Sequence, residues 1–350
     1  MARNAHFPTF ALGLCVLLLA GCSDDGPSDP GGGELPVLPE WDGRREFNGT
    51  LTFAGRERSF IGHLPLSYDH ERRVPLLLAY HGSGMGAELM RQATGLDWIA
   101  NDHGFAVIYP EASDGFFPIP CPGCQNDGRD GFEEIDFARE IIRWTSETYA
   151  VHPDSVYATG FSMGGFFINY LGCAPNAPVR GIAPVAAGAR DDFDDFCSTP
   201  RPKVLIIHAL QDFVAPIEGG ANSMSIAQLA EMWRSHNRCD ATAVEWDYPS
   251  NATGLPTVHA QRWDGCAGRG PVRLDVIEQY GDLWTEPGNF VGNGAYVLTE
   301  WAHEDHVAIQ ANPNYHSAAD VIVQAIEFPI IVENATALAA YERGELDVSG

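Results

Sequence analysis

The run Gly160-Phe161-Ser162-Met163-Gly164-Gly165 constrains this chain more than any other feature. It follows the apolar stretch Ser155-Val156-Tyr157-Ala158-Thr159 and leads into Phe166-Phe167-Ile168-Asn169-Tyr170-Leu171. The order is a strand, a tight turn with a serine at its apex, and a helix. In that context a Gly-x-Ser-x-Gly match reads as a nucleophile elbow rather than a plain glycine-rich turn. Small residues are needed two positions before and two after the serine, because the strained turn brings neighbouring backbone close to the serine Cβ.

The rest of the chain alternates strand-like and helix-like segments, the pattern of an α/β fold with a mostly parallel central sheet and helices on both faces. Leu51-Thr52-Phe53 and Arg58 to Leu64 suggest an opening antiparallel hairpin. Val74 to Tyr80 is continuously apolar, as buried central strands are. A helix over Ala87 to Ala100 precedes the strand Phe105 to Tyr109, and Glu133 to Tyr149 has helical periodicity with Ile135, Phe137, Ala138, Ile141, Ile142 and Trp144 on its apolar face. Beyond the elbow, strands are expected at Gly181 to Ala186, Lys203 to His208 and Val272 to Tyr280, with helices at Ile226 to Trp233 and Ala318 to Phe328.

Arg3, the apolar stretch Phe10 to Ala20 and Leu19-Ala20-Gly21-Cys22 form an export signal over residues 1–21, too short to span a membrane. Leu-Ala-Gly-Cys resembles a bacterial lipobox, which makes Cys22 the lipidated residue; the alternative is an ordinary signal cut near Gly21. Ser23 after it resembles lipoproteins sent to the outer membrane. Residues 22–39, rich in Asp, Gly and Pro, read as a flexible tether. One domain is expected over residues 40–350.

The chain carries eight cysteines. With Cys15 and Cys22 set aside, Cys121, Cys124, Cys173, Cys197, Cys239 and Cys266 remain, and disulfides are expected of an exported chain. Local pairing gives Cys173–Cys197 and Cys239–Cys266, with Cys121–Cys124 as a third pair; the alternative for Cys121-Pro-Gly-Cys124 is a redox or zinc site. A net charge of −26 argues against nucleic acid and anionic membrane surfaces as partners. Any membrane contact would be through the N-terminal lipid alone. Asp191-Asp192-Phe193-Asp194-Asp195 is either a solvated acidic loop or a calcium site.

A serine nucleophile needs a base, an acid to orient the base, and donors for the oxyanion. Asp212, in a loop after Ile206-Ile207-His208, is the candidate acid, and His208 is a supporting histidine rather than the base. Tyr80-His81-Gly82-Ser83-Gly84 follows an apolar strand, so the backbone N–H groups of Ser83 and Met163 are the candidate oxyanion donors; His81 reads as structural. No metal or organic cofactor is implied.

Tyr157 to Gly165, Leu78 to Ser83, Ile135-Asp136-Phe137, the Ile207-His208…Asp212…Val214-Ala215-Pro216 segment and the spacing Trp233…Asn237…Cys239…Cys266 together resemble a family. They are similar to extracellular polyhydroxybutyrate depolymerases and the related feruloyl and acetylxylan esterases, over roughly Phe47 to Tyr280. The resemblance implies an α/β-hydrolase fold and hydrolysis of carboxylic esters through an acyl-enzyme. In such folds the triad follows the chain order serine, acid, histidine.

The resemblance breaks at the base. Asp282 stands where the family has its histidine, and an aspartate is a poor neutral base near pH 7. His306 is the preferred replacement, with His303 as the alternative and His316 as a third candidate; residues 283–316 would then be an insertion over the cleft. Three readings follow: an exported, lipid-tethered esterase acting on hydroxyalkanoate or on feruloyl or acetyl polysaccharide esters; a catalytically silent ligand- or wall-binding lipoprotein of the same fold; and a peptidase of that fold, which nothing favours.

Overall fold

The computed structural model describes residues 38–120, 131–197, 202–220, 222–249, 257–267, 270–278, 296–302, 306–311 and 325–329. The chain divides into two compact units, Met1–Glu278 and Gln279–Gly350. The division falls within the span read from the sequence as one domain.

Unit 1 is built on a ten-stranded sheet. Its strands are β1 (Glu46–Phe53), β2 (Arg56–His63), β3 (Val74–Tyr80), β4 (Ala106–Pro110), β5 (Val151–Phe161), β6 (Gly181–Val185), β7 (Lys203–Ala209), β8 (Val244–Pro249), β9 (Thr257–Trp263) and β10 (Val272–Ile277). They lie in the order β1-β2-β4-β3-β5-β6-β7-β10-β9-β8. The six strands from β4 to β10 in that order run parallel, and antiparallel strands flank them on both sides. The helices are α1 (Ala87–Thr94), α2 (Leu96–His103), α3 (Gly131–Thr148), α4 (Met163–Cys173), α5 (Phe193–Phe196) and α6 (Ile226–His236).

The period of two along each strand sorts the core into two layers. Leu76 and Leu78 of β3 point into one cluster with Phe137 and Ile141 of α3, Phe167 and Leu171 of α4, and Leu229 and Trp233 of α6. Leu77 and Ala79 point to the opposite face, against Met90 of α1 and Ile99 and Ala100 of α2. Helices therefore cover both faces, as the run of apolar residues in β3 requires.

Several local expectations change. The helix expected over Ala87 to Ala100 is two helices, because Gly95 takes φ 60° and closes α1 with its amide on Arg91 O. β8 and β9 were not anticipated; they extend the sheet beyond β10 by antiparallel pairing. The disulfides Cys173–Cys197 and Cys239–Cys266 are present. Cys22, the signal segment, Cys121 and Cys124 lie outside the described residues.

Unit 2 has a three-stranded antiparallel sheet of β11 (Tyr296–Ala302), β12 (His306–Ala311) and β13 (Ala325–Pro329). The closing helix expected over Ala318 to Phe328 is therefore overturned at Ala325 to Phe328, which are strand. Ile326 and Phe328 flank Glu327 at the strand period of two, and they pair with Ile309 and Val307 of β12.

Candidate active site

The serine turn is the most tightly specified point of unit 1. Ser162 joins β5 to α4 with φ 52° and ψ −120°, a conformation an L-residue adopts only when its surroundings impose it. A Cβ at Gly160 would stand 2.4 Å from the carbonyl of Gly164, and one at Gly164 would stand 2.3 Å from Tyr80 O. At Gly165 it would lie 2.5 Å from the Ala187 methyl. The sequence requirement for small residues on both sides of the serine is thus met by direct backbone contact. The Ser162 amide donates to Val185 O at 3.0 Å, and its carbonyl accepts from Phe166 N at 2.9 Å. Beneath the turn, buried Asn169 donates to Gly165 O (3.3 Å) and Gly188 O (3.0 Å) and accepts from Trp233 Nε1 (3.2 Å). The half-buried serine side chain sits at the positive end of α4.

Asp212 lies on the same edge of the sheet. Phe161 pairs with Val185 of β6, and Val185 with Ile207 of β7, so the ends of β5 and β7 stand level. Two strand spacings, about 10 Å, separate them. Asp212 Oδ1 accepts from the amides of Val214 (2.9 Å) and Ala215 (2.8 Å), which fixes the carboxylate. His208 Nε2 donates to Ala215 O at 2.7 Å and lies 3.9 Å from Asp212 Oδ2. Burial pushes the His208 pKa down, which favours a neutral ring beside the Asp212 loop.

The loop after β3 supplies the third component. A Cβ at Gly82 would lie 3.3 Å from Ser162 Cβ and 3.0 Å from the Phe161 ring, so this backbone borders the serine. Ser83 is exposed. Among the described residues, neither the Ser83 nor the Met163 amide donates to a protein acceptor. Two free N–H groups beside a serine suit a developing oxyanion. His81 is fully buried; its Nδ1 bonds Gly82 O at 2.8 Å and its Nε2 accepts from Ala112 N at 3.1 Å.

The base is not among these residues. No described histidine hydrogen-bonds the Ser162 side chain. His303, His316 and Asp282 lie outside the described residues. His306 opens β12 in unit 2, with Ala302 and Pro329 as strand partners, so it occupies a strand and not the expected loop. A separate cluster, Glu46, His63 and Asp97, brings ligand-type atoms within 4.8 Å of one another. The cation between its carboxylates is Arg91, 2.5 Å from Asp97 Oδ2 and 2.9 Å from Glu46 Oε1. In the acidic loop, Arg190 pairs with Asp192 at 2.9 Å.

Comparison with known proteins matches two different groups along the chain. An acetyl xylan esterase from Aspergillus awamori matches with a TM-score of 0.52 and 13% identity, over 67% of this chain and 93% of that one. The first unit has the α/β-hydrolase fold. Feruloyl esterase C of Emericella nidulans is 26% identical over 237 residues, 65% of this chain and 76% of the esterase. The model of the bacterial extracellular solute-binding proteins, family 5 Middle, matches residues 238–350. Accordingly, the periplasmic oligopeptide-binding protein OppA of Escherichia coli is 33% identical over 79 residues, 23% of this chain. The chain spans only 14% of that protein's length. The solute-binding match starts inside unit 1, yet β10 pairs in parallel with β7 over six residue pairs. The backbone thus places residues up to Glu278 in the hydrolase sheet.

Sequence reading named Ser162, Asp212 and the Ser83 and Met163 amides as candidates but assigned no role to Asn169 and treated His81 only as structural. Both make their contacts through residues distant in sequence, Gly188 and Trp233 for Asn169 and Ala112 for His81. No local motif reveals such partners.

Proposed function

We propose that the chain is a serine ester hydrolase acting through an acyl-enzyme. Ser162 attacks the ester carbonyl, the Ser83 and Met163 amides hold the oxyanion, and Asp212 orients the base. The observation that carries this reading is the left-handed Ser162 packed between Gly160 and Gly164, with two unpaired amides beside it. The base assigned is His306, with His303 as the alternative. Water then releases the acid by the same route.

Four large apolar side chains are exposed on this edge: Phe161 (40%), Leu210 (45%), Phe213 (83%) and Val214 (90%). Phe161 precedes the nucleophile, and the others flank Asp212. This apolar rim favours an ester with an apolar or aromatic acyl group, so feruloyl esters rank ahead of acetyl esters of polysaccharides and hydroxyalkanoate oligomers remain in range. Export with Cys22 as a lipid anchor completes the proposal, and the two disulfides fit an oxidising compartment.

A second reading has one observation in its favour. The residues that hold all three candidate bases fall within the solute-binding match. A silent lipoprotein that binds a ligand, such as an oligopeptide, accounts for that match without a base. A panel of p-nitrophenyl acetate, p-nitrophenyl butyrate and methyl ferulate decides between them. Hydrolysis that disappears in Ser162→Ala supports the enzyme. Absence of turnover on every ester, with a peptide ligand bound, supports the silent binder.

A further inference from the structure

We propose that His81 is a positioning residue that aims one oxyanion donor, an inference that rests on the esterase reading above. The argument begins with the tautomer. Gly82 O, 2.8 Å from Nδ1, can only accept, so Nδ1 carries a proton; Nε2 accepts from Ala112 N at 3.1 Å and has the Glu111 carboxylate 3.4 Å away, beyond the Ala112 contact. Nδ1–H therefore donates to Gly82 O. The same oxygen accepts a second bond from Met85 N at 3.2 Å.

Gly82 C=O and Ser83 N–H belong to one peptide unit. That unit is planar and trans, so its N–H points opposite to its C=O. Two donors hold the carbonyl toward the interior, and the Ser83 N–H is thereby turned away from His81, into the space bordered by Ser162. The ring that does this cannot drift: it is fully buried, and Phe117 lies against it with centroids 4.7 Å apart. Gly84 N on Gly115 O at 2.8 Å anchors the far side of the loop. His81 thus contributes to the reaction by fixing the direction of a backbone dipole, with no proton transfer of its own.

The two ring nitrogens have separate partners, Gly82 O at Nδ1 and Ala112 N with the Glu111 carboxylate at Nε2, which makes the inference testable. His81→Asn places an amide N–H near the position of Nδ1 and keeps the donor to Gly82 O, while losing the acceptor for Ala112. His81→Gln places its amide near Nε2 and does the reverse. In the full chain, kcat on a p-nitrophenyl ester should fall about 10- to 100-fold in His81→Gln at unchanged KM, short of the loss of a whole oxyanion donor. In His81→Asn it should stay within about 3-fold of wild type, at that same scale.

Amide exchange by NMR provides a readout independent of turnover. Gly84 and Met85 should exchange faster in His81→Gln only, and Ala112 faster in His81→Asn only. Equal kcat in the two variants, or a loss confined to KM, overturns the proposal; so does exchange that changes alike in both. A wild type inert toward esters overturns the esterase reading alone, and the exchange crossover then still decides whether His81 holds the peptide.

Discussion

Replacing Ser162 with glycine should make the protein more stable than replacing it with alanine. Both variants lose the hydroxyl, so the comparison isolates the backbone. At φ 52° and ψ −120° an L-residue stores about 1–3 kcal/mol of conformational strain. Glycine adopts that conformation freely but brings an unfolded state more flexible by about 0.5–1 kcal/mol. The difference leaves Ser162→Gly ahead of Ser162→Ala by about 1 kcal/mol at the centre of the two ranges and by at most about 2.5 kcal/mol. For a unit of this size each kcal/mol moves the midpoint by about 2–4 °C, so the glycine variant should melt about 2–4 °C higher, and at most about 10 °C higher. Reversible thermal or urea denaturation followed by circular dichroism measures it. A glycine variant that melts at or below the alanine variant refutes the view that the turn is strained to present a serine.

Gly164→Ala should destabilise by about 1–3 kcal/mol or more in urea denaturation, because its methyl would stand 2.3 Å from Tyr80 O and 2.6 Å from His81 O, both backbone atoms. A neutral result would contradict the close approach of α4 to the Tyr80–His81 backbone. Burial depresses the pKa of His208, so the unfolded chain binds a proton the folded chain does not. Stability should therefore fall as pH drops below about 6.5, by up to about 1.4 kcal/mol per pH unit. His208→Gln should flatten that part of the stability–pH curve, and an unchanged slope would exclude His208 as its source. If His306 is the base, His306→Ala should lower kcat by a factor of about 10²–10⁴ while His303→Ala leaves it near wild type; the reverse pattern moves the assignment to His303.

Much of unit 1 is legible in the sequence because local rules determine it. The Gly160 and Gly164 requirement follows from the strained turn, and β3 announces burial on both faces by its unbroken apolar run. Cys173–Cys197 and Cys239–Cys266 follow from their short sequence separations, 24 and 27 residues. What escaped is non-local. β8 and β9 form by pairing outward from β10, and β8 carries Glu245 and Asp247, which weaken its strand signal. Ala325-Ile326-Glu327-Phe328 is too short for its period to separate helix from strand, and the antiparallel neighbour β12 decides it. The break after Glu278 was visible only as Asp282 in place of a histidine. Sequence alone makes that substitution an insertion within one fold, because nothing in it announces a second unit.

The most direct test of the central claim is acyl trapping on the full chain. A p-nitrophenyl ester is mixed with enzyme in comparable amounts, quenched in acid within the first turnover, and the digest mapped by mass spectrometry. The account predicts a burst of p-nitrophenol and the acyl mass on the peptide containing Ser162, both absent from Ser162→Ala. An acyl group on another residue, or p-nitrophenol release that persists in Ser162→Ala, would contradict it.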